Sequence, residues 1–240
     1  MAEDARQLGV NAAALPARER QFARSVASRD ASWQRVSMLG ALRRGETRLL
    51  FISADMLLWK TTPPQKWELM STPLETDAEM DPKALINHLV SAGYERVEMV
   101  EGRGQCALRG AILDVFPPDS LNALRIEFFD NTIDSIRSFD CITQRSVEHM
   151  RSVCISPAAE YVLTPPEKAE AGAHMHTLLE NAKDRFRGTA DGLSALLADA
   201  ETLQNGGTLA QMDLWAGVLM HQTAPLTAWP QQPIVLVFSP

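Results

Sequence analysis

Two β-rich runs, residues 124–129 and 132–139, meet at Asp130-Asn131. Both turn residues tolerate positive φ, so the pair suits a two-residue hairpin, and a hairpin fixes which side chains share a face. With a period of two, Leu124, Ile126 and Phe128 point to one side, and Arg125, Glu127 and Phe129 to the other. The first set is an ordinary core face. The second places an aromatic ring beside an arginine. Arg109, on the preceding β-rich run, has Leu108 as its inward neighbour and can join the outer face. Arginines and aromatic rings on a rigid sheet are the material of interface hot spots, each worth roughly 2 kcal/mol or more when truncated. The residue pattern also allows a plainer reading, in which Phe129 packs on a helix at 82–92 and Arg125 pairs with Glu127 or Asp134.

Around this hairpin the chain changes character twice. Residues 1–67 read as α/β. A short strand at 12–17 precedes an amphipathic helix at 28–44, which carries Trp33, Val36, Leu39 and Leu42, with Ser28 or Asp30 to cap it and Gly45 to stop it. The nearly continuous apolar run at 48–54 has the pattern of a strand covered on both faces. A short helix at 55–60 is expected to end at Pro63-Pro64.

Residues 68–80 read as extended. Asp81-Pro82 then opens a helix to Gly93 with Leu85, Ile86, Leu89 and Val90 on one face. Strands are expected at 96–101, 105–116, 124–129, 132–139 and 153–156, with Gly110 marking a bulge or a close backbone approach. Residues 157–240 read as mostly helical. Pro165-Pro166 opens a helix to about Arg187, Thr189 or Asp191 caps a second to about Leu203, and a third covers 211–219. A last buried-type strand is expected at 233–238. The simplest organisation is an α/β domain interrupted by an α+β insertion.

The 240 residues, 45% of them apolar, suffice for one or two packed domains. A net charge of −7 argues against a protein whose main act is to coat DNA. Cys106, Cys141 and Cys154 form no C-x-x-C pair, which speaks against a zinc site or a disulfide scaffold and fits a reducing cytosol. No apolar run reaches the ~18 residues of a membrane span, and the acidic N-terminus has no apolar signal core. A cytoplasmic protein without membrane partners is expected. No G-x-x-x-x-G-K-[ST] occurs, so ATP hydrolysis and a nucleotide cofactor are not expected. His174 and His176 stand at i and i+2 and would not face one ion on a helix. Asp114, Glu127, Asp130 and Asp134 have no histidine, cysteine or lysine nearby in sequence to complete a catalytic set, and suit turns or charge pairs with Arg125 or Arg137.

Several motifs carry a family resemblance. LRGAILDVFP (108–117), LRIEFFDNTIDSIRSFD (124–140) and TQRS (143–146) resemble domain 2 of the bacterial transcription-repair coupling factors, the Mfd family. That domain is shared in weaker form with the excision-repair protein UvrB. LPARERQF (15–22), SRDASWQRVSMLGAL (28–42) and Pro63-Pro64 sit where the family has domain 1a, and PLTAWPQQPIVLVF (225–238) resembles the end of its domain 1b. The resemblance implies an α/β fold: an incomplete P-loop-NTPase-like (RecA-like) parallel-sheet domain interrupted by an inserted α+β domain with an antiparallel sheet. The parts would be residues 1–67, 68–156 and 157–240, like domains 1a, 2 and 1b.

The resemblance also implies a function, that of a DNA-repair adaptor which recruits UvrA. The positions matching the family's UvrA contacts are Arg109, Arg125 and Phe129, with Arg137 and Arg145 as second-rank candidates. No catalytic residue, metal or cofactor is implied. The family's motor and its RNA polymerase-interacting domain have no counterpart in these residues, so contacts with RNA polymerase and DNA would belong to domains outside them. The family's first strand and the loop after it are also unmatched, so a fragment or a truncated homologue is expected. Two other readings remain at this point. One is a piece of a UvrB-type ATP-dependent damage-binding helicase. The other is a scaffold whose Arg18, Arg20, Arg24, Arg35, Arg43 and Arg44 touch duplex phosphates.

Overall fold

The structure, a computed structural model, describes residues 2–15, 29–183, 190–209, 212–220 and 222–230. Helix α1 (Ala2–Gln7) leads to strand β1 (Ala12–Ala14), and helix α2 (Arg29–Arg43) to strand β2 (Leu49–Phe51). Val36, Leu39 and Leu42 recur on α2 at three-residue spacing and are buried. The helix opens at Arg29, so Asp30 lies inside it, and Ser28 is outside the described residues. Gly45 ends the helix at φ +72, with its amide on the Leu42 carbonyl at 3.2 Å.

Strands β1 and β2 pair in parallel, with Ala12 opposite Leu49. The expectation of a strand covered on both faces does not hold for β2. Leu49, Leu50 and Phe51 are each half-buried. The apolar run at 233–238 lies outside them.

A 3-10 turn (Ala54–Leu58) and strand β3 (Lys60–Thr61) precede helix α3 (Pro64–Leu69) and strand β4 (Thr72–Glu75). Pro63-Pro64 therefore opens a helix instead of ending one. Pro63 is the N-cap and Pro64 the first helical residue, where a missing N–H leaves no bond unmade. In helix α4 (Pro82–Ser91) the Asp81 carboxylate accepts from the Lys83 amide at 3.0 Å. Leu85, Ile86 and Leu89 are buried, but Val90 is exposed, about 100° around the helix from Leu89.

The insertion is a six-stranded sheet. Its strands are β5 (Glu95–Arg96), β6 (Gln105–Arg109), β7 (Ile112–Val115), β8 (Ala123–Phe129), β9 (Thr132–Phe139) and β10 (Ser146–Met150), in the order β10-β9-β8-β7-β6-β5. All neighbours are antiparallel except β5 and β6. The run at 105–116 is two strands, not one. Gly110 is the hairpin turn between them at φ +61, with Arg109 opposite Ile112, and marks no bulge. Strand β11 (Ser152–Ile155) pairs antiparallel with β4.

Helices α5 (Pro165–Ala182), α6 (Ala190–Gln204) and α7 (Met212–Leu219) follow, and strand β12 (Ala224–Pro225) pairs with β3. The expected helix end near Arg187 and the Thr189 cap lie outside the described residues.

The chain forms two units, one of Met1–Val162 with Ala224–Pro240 and one of Leu163–Thr223. In the first, a single apolar core runs from Val36 and Leu39 through Trp67 and α4 to Leu113, Ile126 and Ile136 on one face of the sheet. A smaller cluster of Val100, Ala107, Phe116, Ala123 and Phe139 lies apart from it. In the second unit, Thr164 and Glu167 form a capping box at the start of α5. Gly172 lets α5 approach α6 so closely that a Cβ there would sit 2.5 Å from the Gln204 amide nitrogen. The architecture is an incomplete RecA-like α/β domain interrupted by an insertion built on an antiparallel sheet.

Candidate functional site

Cross-strand register places Ala107, Asp114, Arg125 and Arg137 in one row across β6 to β9. The next row is Arg109, Ile112, Glu127 and Ser135. On β8, Leu124, Ile126 and Phe128 are buried, and the alternate residues Arg125, Glu127 and Phe129 face outward. The register shifts between Glu127, opposite Ser135, and Phe128, opposite Ile133. The extra residue, Asp134, lets Ile133 and Ile136 both reach the core. It also turns Ser135, Arg137 and Phe139 to the outer face. Strict alternation from Ile133 would have sent Arg137 inward.

Asp114 is the centre of this face. It is 1% exposed and takes two guanidinium groups. Arg125 donates from Nε to Oδ1 at 2.6 Å and from Nη2 to Oδ2 at 2.8 Å. Arg109 donates from Nη2 to Oδ2 at 2.8 Å. A buried carboxylate needs such partners, and the bidentate pair is the strong form. The bond to Asp114 moves the Arg125 pKa further above its ordinary value, against the opposing effect of burial, with the charges of Asp114 and Glu127 adding to the rise. The Arg125 guanidinium also lies over the Phe139 ring, 4.3 Å from its centroid. Its Nη2 donates to Gln144 Oε1 at 3.0 Å. Arg137, opposite Arg125, turns instead to Glu127 through Nη2, and Ser135 Oγ donates to the other Glu127 oxygen at 2.9 Å. Two like charges directly across a sheet are thus each matched by a separate carboxylate.

The five candidate residues therefore fall into different settings. Phe129 is 80% exposed at the last position before the turn, opposite Thr132, and does not pack on α4. The Arg109 side chain is 47% exposed, and that of Arg125 only 14%. Arg137 is half-buried. Arg145 is exposed beyond the end of β9, in a turn where its carbonyl accepts from the Asp140 amide at 3.0 Å. The sheet brings Arg109 and Arg125 together at Asp114 and aligns Phe129 with them. Arg145 stands apart on the turn. Of the carboxylates, Asp114 pairs with Arg109 and Arg125, Glu127 pairs with Arg137, and Asp130 forms the hairpin turn at φ 55.

Two members of this arrangement, Phe139 and Gln144, were not singled out in the sequence. The bulge hides that Phe139 shares a face with Arg125. Gln144 lies in the TQRS motif beside the charged Arg145, and an uncharged turn residue carries no sequence signal of such a contact.

Three arginines of this region, Arg35 and Arg43 on α2 and Arg44 just after it, have partners within the chain. Arg35 pairs with Glu160 at 3.1 Å, Arg43 with Glu68, and Arg44 with Glu46 at 2.7 Å and Asp119 at 2.9 Å. Arg18, Arg20 and Arg24 lie outside the described residues. His174 and His176 are exposed on α5 on either side of the buried Met175. Among the described residues, no His, Cys, Asp and Glu side chains are grouped to hold a metal ion, and no helix is long and apolar enough to cross a membrane.

The outer face of this sheet thus carries an exposed ring on β8 and an ordered set of guanidinium groups on the same side. Residues 72–161, which span the sheet and α4, match the family described as UvrB interaction domain. The chain is 36% identical over 147 residues to the transcription-repair-coupling factor of Bacillus subtilis (strain 168), which covers 61% of this chain and 12% of that protein. It is 34% identical over 153 residues to the transcription-repair-coupling factor of Staphylococcus aureus (strain USA300), covering 64% of this chain and 13% of that protein. The middle of the chain thus resembles the UvrB interaction domain, and about three fifths of the chain is similar to part of the transcription-repair-coupling factors. The chain spans 12–13% of the length of these curated relatives.

Proposed function

We propose that this chain is a non-catalytic DNA-repair adaptor that works in the cytoplasm and recruits UvrA in transcription-coupled nucleotide excision repair. The observation that carries the reading is the 80% exposed Phe129 ring, on the same rigid sheet face as the half-exposed Arg109 and within the residues that match the UvrB interaction domain. An exposed ring offers apolar area that a partner can take out of water, and a ring on the same face as a guanidinium group matches a partner that offers an apolar recess near a carboxylate. We further propose that the chain divides functionally at residues 67/68 and 156/157, the middle part being the docking domain. Contacts with RNA polymerase and DNA are assigned to parts of the relatives that these 240 residues do not match.

Binding of purified UvrA, measured by calorimetry, tests the reading. Wild-type chain binds, and Phe129→Ala loses about 30-fold in affinity, the equivalent of a hot spot worth about 2 kcal/mol, with its melting temperature unchanged. Absence of binding by the wild-type chain overturns the adaptor role. Undiminished binding by Phe129→Ala removes the site.

A further inference from the structure

Arg125 sits differently from the other residues of the proposed surface. Its Nε and Nη2 are committed to the buried Asp114, Nη2 also reaches Gln144, and one face of the group lies on Phe139. Little of it is open to a partner. Both of its polar contacts lead elsewhere. Asp114 is also the anchor of Arg109, whose side chain is half-exposed. Gln144 belongs to the turn that presents Arg145, and it is held there at φ 59 with its Nε2 donating to the Cys141 carbonyl at 2.8 Å.

We infer that Arg125 is a positioning residue of the docking surface: through Asp114 it fixes the Arg109 guanidinium, and through Gln144 it tethers the turn carrying Arg145, while Arg109, Arg145 and Phe129 meet the partner. The inference rests on the UvrA-docking reading and refines it. A guanidinium group bound on its edge by a carboxylate and on its face by a ring has its orientation set before any partner arrives, so the ordering entropy of its neighbours is spent in folding and not in binding. Removing the tether leaves the contacting groups chemically intact but less ordered.

The test uses the full chain, with UvrA affinity, melting temperature and amide hydrogen exchange measured for each variant. Gln144→Ala removes only the exposed tether. It keeps the wild-type melting temperature, speeds exchange of the Ile142 and Thr143 amides, and lowers UvrA affinity by about fivefold, a cost on the scale of one ordered side chain. Asp114→Asn separates the two roles of Arg125. A guanidinium that touched the partner directly would be freed by this change and would bind as well or better. A positioning guanidinium loses its anchor, and affinity falls by about tenfold, an effect that shrinks in an Arg109→Ala background because the two groups act together. Wild-type affinity and exchange in Gln144→Ala, or undiminished binding in Asp114→Asn, overturns the inference and leaves the adaptor reading standing. If Asp114→Asn does not fold, Gln144→Ala decides alone. Absence of binding by the wild-type chain removes the adaptor reading itself, and the inference with it.

Discussion

Trp229 stands edge-on to Trp67, with ring centroids 5.4 Å apart and planes at 73°. The two are far apart in sequence, and their contact is how residues 224–230 rejoin the segment just before the insertion. Trp229 is fully buried and its Nε1 donates to Thr61 Oγ1 at 2.9 Å. The Thr61 hydroxyl in turn donates to the Ala224 carbonyl at 3.0 Å. Trp67 is also buried, but its Nε1 has no hydrogen-bond partner among the described residues.

The two indoles should therefore respond differently to the same change. Trp229→Ala costs about 4 kcal/mol, the range for a large ring removed from a core. Trp229→Phe costs about 1 kcal/mol beyond the lost volume, since the Thr61 oxygen loses its donor. Trp67→Phe deletes an N–H that has no partner, so that gain offsets part of the lost packing and the net cost stays within about 1 kcal/mol. Urea unfolding of the three variants gives the order. Equal costs for the two Phe variants would mean that the Thr61 bond is not made.

Two glycines on this unit differ in what surrounds them. Gly93 has φ +99, and a Cβ there would lie 2.5 Å from the Ala159 Cβ. Gly110 has φ +61, with nothing within 4 Å. Gly93→Ala meets both a backbone cost and a clash and loses about 3 kcal/mol or more, whereas Gly110→Ala meets the backbone cost alone, about 1 kcal/mol. Denaturant midpoints compare them directly. Similar losses would show that the approach of Ala159 to the end of α4 is easily relaxed.

Much of this fold was legible because local signals agreed. The β8–β9 hairpin has alternation on its first strand and a turn that accepts positive φ at Asp130. Helix α4 has a cap, a proline at its first position and an apolar face. The β6–β7 hairpin was hidden because apolar residues continue on both sides of Gly110, which alone marks the turn. Strand β10 was hidden because Ser146, Val147, Glu148 and His149 are all exposed, and an edge strand with no buried face leaves no periodic pattern. At the site, the outward direction of Arg125 and Phe129 follows from a period of two. The sharing of Asp114 by two arginines does not, because it depends on three-strand register. The place of Phe139 beneath Arg125 depends on a bulge that no residue type announces.

Two of the three thiols, Cys154 and Cys106, should react in an order set by their surroundings. Cys106 is fully buried, and burial pushes its pKa up to about 12. Cys154 is exposed on β11, though partial burial and the charge of Asp119 also raise its pKa. At pH 8 a thiol reagent labels Cys154 in the folded chain, more slowly than free cysteine because less of it is thiolate. Cys106 reacts only after unfolding. Mass spectrometry of partly labelled protein reads this, and early labelling of Cys106 would place it nearer the surface than the core contacts allow.

The turn after β9 has its own pH dependence. The Asp140 Oδ1 accepts from the Thr143 amide at 2.7 Å and the Ile142 amide at 2.9 Å. These bonds, that of Thr143 foremost, hold the carboxyl below its ordinary value of 3.8. A depressed carboxyl stabilises the fold above the pKa of the unfolded chain, and that contribution is lost as pH falls through the lower folded value. The amide signals of Ile142 and Thr143 should therefore titrate with a midpoint under 3.8, and Asp140→Asn should abolish the titration. Exchange of the same amides should quicken across that acid range while the amides of β8 keep their protection. A midpoint at or above 3.8 would show that the turn carrying Arg145 is not held by the charged form of Asp140.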